Sequence, residues 1–182
     1  MKFDLGGTTR NKEHKSVNLT GNVDIKANIL ELDSFCSDCS VDEFLMRHTY
    51  EHINICDIPA FLKNVYRKLK LGGKLRIIHT DAFKVIEMYK KNEIHFRGVR
   101  DILFTGYYSR ISGCINGTDL QGHKYMWGIE DLKEELLFYG FSKVNNFDAG
   151  SWKFDFKSYF PNDNHEKYHN IRIPNLGIEA TK

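Results

Sequence analysis

The residues best suited to chemistry stand in two short groups, His48-Thr49-Tyr50-Glu51-His52 and His79-Thr80-Asp81. Imidazole exchanges protons near neutrality, with an ordinary pKa of about 6.5, so His48 or His79 could take a proton from a reacting group. His48, Glu51 and His52 also have the spacing with which two imidazoles one helical turn apart bind zinc while a carboxylate activates water. On that basis a zinc hydrolase is one reading of the group. Near the N-terminus, Gly6-Gly7 follows Phe3 and Leu5. Glycines there let the backbone turn sharply and approach a ligand with no Cβ in the way. Cys36-Ser37-Asp38-Cys39 has the C-x-x-C spacing of a redox or zinc pair, but neither a second pair nor a helix start accompanies it.

The elements around these groups decide between the chemistries. Val41, Phe44, Leu45 and Met46 make a short apolar run that stops at Arg47-His48, as a buried strand would. Pro59 suits the first turn of a helix, and Phe61, Leu62, Val65, Tyr66 and Leu69 give that helix one apolar face. Gly72-Gly73 is expected to cap it in a left-handed conformation. Leu75, Ile77 and Ile78 then form a strand. Strand, helix and strand in this order make a right-handed parallel unit, with both polar groups at carboxyl ends of strands. Ligands of open α/β sheets bind at those ends. The same elements count against the zinc hydrolase. A strand runs up to Arg47, and Pro59 interrupts any single helix continuing from His48.

The remaining segments extend the alternation. Phe3 and Leu5 predict a first strand, Ser16–Leu19 a second and Val23–Ile25 a third extended piece. A helix is expected over 82–89 with Phe83, Ile86 and Tyr89 inward, and another from Glu130 with Leu132, Leu136, Leu137 and Tyr139 buried. Gly140 would cap the latter before a strand over 141–144, and Ile171 to Ala180 would close the sheet with an antiparallel strand. Val99, Ile102, Leu103 and Phe104 suggest a further helical turn or two, and segment 105–127 is the least regular, with aromatic and basic residues among glycines, a content that argues against disorder. In one reading Tyr125, Met126 and Trp127 simply plug the core.

Composition sets the frame. The 182 residues, 41% hydrophobic and 27% charged, suit a single soluble domain able to bury roughly 70% of its unfolded surface. A net charge of +2 is too small to argue for nucleic acid. No run approaches the apolar length of a membrane span. Four cysteines without a visible secretory signal read as free thiols of a reducing compartment, so a cytoplasmic location is expected.

Leu5-Gly6-Gly7, Ser16-Val17-Asn18-Leu19, Asn28-Ile29-Leu30, the His48-to-His52 turn, Tyr66-Arg67-Lys68-Leu69-Lys70-Leu71-Gly72-Gly73-Lys74-Leu75 and Ile178-Glu179-Ala180 carry a resemblance over nearly the whole chain. Together they resemble a class I S-adenosylmethionine-dependent methyltransferase, of a subgroup with a short loop after the first strand and a His-x-x-Glu-His turn after the fourth. The resemblance implies a three-layer α/β sandwich. Its doubly wound, mostly parallel sheet would have seven strands, with an antiparallel strand near the C-terminus. It implies S-adenosylmethionine as cofactor and S-adenosylhomocysteine as product, held by Gly6, Gly7, Asn18, Asn28, Ile29 and His48, and no metal. His48, His79 and Asp81 would be the catalytic residues. Segment 97–127 would cover the acceptor, with Arg97, Arg100, Tyr107, Tyr108, Arg110 and His123 around it. Guanidinium groups suit an anionic acceptor such as a sugar phosphate. The sequence departs from the family pattern at three places. Thr8 replaces the usual last glycine, Asn18 the acid that meets the ribose, and Asn28 the Asp that meets adenine. An amide keeps the hydrogen-bonding ability and loses the charge. A methyltransferase-like fold that serves as a binding module is therefore the alternative to an enzyme.

Overall fold

A computed structural model describes residues 1–8, 12–105, 123–154, 168 and 170–182. The strands are β1 (Lys2–Leu5), β2 (Lys15–Asn18), β3 (Ile25–Lys26), β4 (Val41–Arg47), β5 (Leu69–Thr80), β6 (Lys143–Asn146), β7 (Ser151–Phe154) and β8 (Ile171–Thr181). The helices are α1 (Ile58–Lys68), α2 (Ala82–Lys90), α3 (Phe96–Arg100) and α4 (Ile129–Phe138). Seven strands lie side by side in the order β3-β2-β1-β4-β5-β8-β6, and β7 pairs with the outer half of β8. From β3 to β5 the neighbours are parallel; β8 runs antiparallel to β5 and β6. This is the Rossmann-like sheet the pattern predicts. The connection reverses direction between β1 and β4, so the topological switch point falls between them.

Side-chain alternation assigns the two faces. Phe3, Leu5, Phe44, Met46, Leu75, Ile77, Ile178 and Ala180 share one face. They form a single core with Phe61, Leu62 and Val65 of α1 and Leu132 and Leu136 of α4. The opposite face carries charge. Lys74 and Arg76 hold Glu179 at 2.8 and 2.6 Å, and Arg76 also reaches Glu43 at 3.4 Å. His14 donates from Nε2 to Glu43 at 2.9 Å, and Arg47 reaches Asp4 at 2.6 Å. Residues 6–14, between parallel β1 and β2, are fewer than the dozen or so a helical crossover uses, and their described part has no helix. A second core, of Ala82, Val85, Val99, Ile102, Leu103, Phe154 and Ile173, joins α2 and α3 to β7 and β8. Among the described residues no helix is long and apolar enough to cross a membrane.

Three local expectations change. Gly72-Gly73 does not cap α1, because Leu69 is already extended and pairs with Val41. Gly72, at φ +77°, instead donates its N–H to the Lys182 carbonyl within the long strand β5. Ladder bonds on both edges of β5 replace the extra helical turn that a glycine cap would have closed. In α2 the buried residues are Ala82 and Val85, whereas Phe83, Ile86 and Tyr89 are exposed. The Asp81 side chain accepts from the Lys84 N–H at 3.1 Å and fixes where that helix starts. Leu137 of α4 is likewise exposed, while Gly140 (φ +98°) does end that helix as expected.

Candidate active site at the carboxyl ends of the strands

β1 ends at Gly6, whose φ of +86° turns the chain and whose N–H donates to the Val17 carbonyl at 2.8 Å. A side chain at Gly6 would run into Thr49, and a Cβ at Gly7 would lie 2.7 Å from the Asp4 carboxylate. Gly6 is therefore required by the turn and by close approach, and Gly7 by close approach. Asn18, at the end of β2, donates from Nδ2 to the Gly6 carbonyl at 2.9 Å, so its amide braces the corner. The Asn28 Oδ1 accepts from the Leu30 N–H at 3.1 Å, closing a local turn, and Ile29 packs on the main core.

β4 ends beside this corner. His48 takes φ +49°, unusual for a residue with a Cβ, and donates its N–H to the Ile78 carbonyl at 2.8 Å. The 3-10 turn Tyr50–His52 follows. Tyr50 anchors it, its ring 6.4 Å from Phe61 and 5.7 Å from Trp127. Glu51 is fully buried, and its main-chain carbonyl accepts from the Lys124 N–H (2.7 Å) and the Tyr125 N–H (3.3 Å). Those bonds bring His123 beside the turn, with its ring 5.0 Å from that of His52.

The electrostatics centre on Glu51. Its Oε1 lies 3.4 Å from His48 Nδ1, and neither carboxylate oxygen has a hydrogen-bond partner among the described residues. Burial pushes its pKa up, but the imidazoles of His48 and His79 outweigh that and hold it below the ordinary carboxylate range. His79 is completely buried, and burial pushes its imidazole below the usual range, with the Glu51 carboxylate opposing that shift. Its Nδ1 lies 2.8 Å from the Thr80 carbonyl, so that nitrogen is the donor. Burial lowers His123 in the same way. Glu51, His52 and His123 present ligand atoms that all lie within 4.8 Å of one another, a set able to hold a metal ion.

The structure thus brings together Gly6, Gly7, Asn18 and His48, and groups His123 with Glu51 and His52. Two of the expected catalytic residues are differently placed. His79 is sealed from solvent, so it cannot meet an acceptor directly, and Asp81 caps α2. Arg100 binds buried Asp101 through Nε and a terminal nitrogen, at 3.1 and 3.0 Å, while Arg97 is exposed on α3. Tyr107, Tyr108 and Arg110 lie outside the described residues. Trp127 is buried in the main core, as the plug reading expects, whereas Tyr125 is exposed. Cys36, Cys39 and Cys56 are free thiols, as expected. His48 and His52 do not share an α-helix, so the zinc-hydrolase arrangement through those two imidazoles does not form.

Sequence reasoning missed three contributors. Glu51 stands in the sequence as a member of the zinc spelling and of the turn after the fourth strand, with no sign that it is a buried charge of the site. Trp152 of β7 has its ring 6.4 Å from that of His48 and donates from Nε1 to the Thr80 hydroxyl at 3.2 Å. The alternating aromatics from Ser151 signal a strand but not which strand it pairs with. Asp4, beneath Gly7 and paired with Arg47, was passed over as a polar residue in a short strand.

A sheet in this strand order, with a glycine corner at the switch point, is shared with solved structures of S-adenosylmethionine-dependent methyltransferases. The chain is similar to such a methyltransferase from Archaeoglobus fulgidus, with 20% identity and a TM-score of 0.58, covering 100% of this chain and 85% of that one. It is also similar to a methyltransferase of Thermotoga maritima, at 21% identity and a TM-score of 0.57, covering 100% and 81%. Phosphoethanolamine N-methyltransferase 2 of Haemonchus contortus, solved with S-adenosylmethionine, matches at 14% identity and a TM-score of 0.52, over 100% of this chain and 48% of that one. No protein-family model and no curated protein matches the chain.

Proposed function

We propose that this chain is an S-adenosylmethionine-dependent methyltransferase acting on a small-molecule or sugar-like acceptor. The observation that carries the reading is the juxtaposition of Gly6-Gly7 at the end of β1 with His48 at the end of β4, across the switch point of the sheet. A crevice bounded by those two ends is where open α/β sheets take their ligands.

Methyl transfer from a sulfonium is an in-line displacement that needs little covalent help. Alignment of acceptor and methyl group supplies most of the advantage, up to roughly 7–11 kcal/mol. Gly6 and Gly7 would let the backbone meet the cofactor, with Asn18 holding the corner in shape. His48, exposed and steered by the Glu51 carboxylate at 3.4 Å, is the residue we assign to take a proton from a hydroxyl or ammonium acceptor. Segment 97–127, part of which lies outside the described residues, is assigned to cover the acceptor. Arg97, exposed on α3, is assigned to the acceptor side, where a guanidinium suits an anionic group.

A second reading has its own support. The amides of Asn18 and Asn28 are engaged with the chain itself, and no acid stands in their place. A binding module that has lost turnover fits that arrangement. Isothermal titration separates the two at its first step. Saturable heat with both S-adenosylmethionine and S-adenosylhomocysteine supports the enzyme; absence of heat from both supports the module.

A further inference from the structure

We infer that Glu51, His52 and His123 form a binding site for a divalent first-row metal ion of the zinc type, placed beside the cofactor corner. The three ligand atoms lie within 4.8 Å of one another, on a turn and a segment tied by the bonds from Lys124 and Tyr125 to the Glu51 carbonyl. Two imidazoles and one carboxylate match the donor set that such ions use when a coordination position is left for water or substrate.

An independent feature points the same way. Glu51 is completely buried, and both of its carboxylate oxygens lack a hydrogen-bond partner among the described residues. The Nδ1 of His123 is also buried and has no hydrogen-bond partner among the described residues. Burying an ionised carboxylate is costly unless a counter-charge or donors compensate it. The imidazole of His48 approaches only Oε1, and at 3.4 Å. A cation at the centre of the three ligands compensates the charge and uses the His123 nitrogen. His48 then becomes an outer partner that orients the ligating carboxylate, as metal sites generally require.

The location suggests a purpose. Thr49, which packs against Gly6, is two residues from Glu51, so the ligand turn begins at the wall of the cofactor corner. This part of the inference rests on the methyltransferase reading. An ion held by Glu51, His52 and His123 would make a hydroxyl at its open position a better acid. His48 would take that proton as the oxygen bonds to the methyl carbon of S-adenosylmethionine, and the carbon–sulfur bond would break with its electron pair on sulfur, giving S-adenosylhomocysteine. The acceptor class is accordingly an alcohol, and polyols or sugars that offer a second oxygen to the same ion suit it best.

Cobalt(II) titration of the whole, metal-free chain tests the site without reference to activity. One equivalent should bind, with the visible absorption of a nitrogen- and oxygen-ligated ion, and zinc should displace it and raise Tm. His123→Gln and Glu51→Gln should each weaken binding at least tenfold. His123 is half-buried on a connecting segment, so His123→Gln tests the site even if loss of Glu51 impairs folding. Cys36→Ser, Cys39→Ser and Cys56→Ser should leave binding unchanged. No saturable binding, binding untouched in His123→Gln, or binding lost with the cysteines overturns the inference. Titration with S-adenosylhomocysteine on the same samples keeps the two readings apart. Cofactor binding without cobalt binding removes the metal and leaves the methyltransferase; the converse does the reverse.

Discussion

Gly6 and Thr49 are packed so closely that the strand end bearing the first and the turn bearing the second leave no room for a Cβ between them. The contact ties the end of β1 to the segment that follows β4, and so holds the two sides of the switch point at a fixed separation. Gly6→Ala must strain the backbone at φ +86° and push Thr49 away as well. A conformation of this kind costs roughly 1–3 kcal/mol for a residue with a Cβ, before the collision is counted. Urea denaturation should show a loss of at least that size, and titration should show weakened S-adenosylhomocysteine binding. Adding Thr49→Gly should recover part of the stability, since it removes the collision and leaves the strained φ. A Gly6→Ala protein as stable as the parent would show that the corner is built differently.

The amide of Asn18 gives a sharper test of the proposed cofactor corner. Its Nδ2 donates to the Gly6 carbonyl at 2.9 Å, which a carboxylate cannot do. Asn18→Asp introduces the acid that the methyltransferases this sequence resembles place after the second strand, but sets an anion against a carbonyl oxygen. We expect a loss of about 1–3 kcal/mol in stability from the broken bond. Cofactor affinity should fall with it. Tighter binding in Asn18→Asp would mean that the residue is a weakened ribose contact and that bracing Gly6 is secondary.

How far the sequence reached can be judged from particular residues. Val41 to Met46, Phe61 to Leu69 and Leu75 to Ile78 announced strand, helix and strand, because burial on one face imposes a period of two or 3.6 that the residues themselves display. His48 and His79 were legible at the carboxyl ends of that unit, and Gly6-Gly7 as the turn after the first strand. The role of Gly72 was not, since a glycine after a helix has the same spelling whether it caps the helix or bends the strand behind it. Phe83, Ile86 and Tyr89 have a helical period too, but the phase of α2 follows from the Asp81 cap and from packing on β8. The association of Glu51 with His123, and of His48 with Trp152, joins residues far apart in the chain through backbone bonds that no local pattern encodes.

Acid should destabilise the fold through a defined set of carboxylates. Asp42 is held at about 2, first by its hydrogen bond to Lys70 and then by the N-terminal ammonium. Asp33 lies below its usual range chiefly through Lys68, and Asp38 chiefly through Arg67. Glu179, despite burial pressing it upward, is drawn down by Lys74 and Arg76. Each has a folded-state pKa below its unfolded value. Their stabilisation is therefore complete above the ordinary carboxylate range and is lost as pH falls through the folded values. Tm should be flat with respect to these groups above about pH 5 and should drop between pH 4.5 and 2. Moderate salt should flatten the drop most for Asp42, whose pair with Lys70 is open to solvent, and less for Asp33 and Asp38, which share the buried Lys68. A Tm unchanged down to pH 2 would show that these pairs contribute nothing to folding.

His48 is the residue on which a catalytic assignment can be tested with least damage to the fold. Its backbone occupies φ +49°, a region that Asn enters more easily than other residues with side chains, so His48→Asn should keep both the turn and the N–H bond to Ile78. The side chain is exposed, and its replacement opens no cavity in the core. What the variant removes is an ionisable nitrogen next to the Glu51 carboxylate. Loss of a general base lowers turnover by roughly 10²–10⁴-fold. With an alcohol acceptor, His48→Asn should show a fall in kcat of that order, little change in S-adenosylhomocysteine affinity, and loss of the limb of the pH–rate profile that reports a base. If kcat falls tenfold or less and the profile keeps its shape, His48 positions Glu51 and does not take the proton. Equal losses in cofactor affinity and turnover would instead place its imidazole against the cofactor, as the sequence pattern also allows.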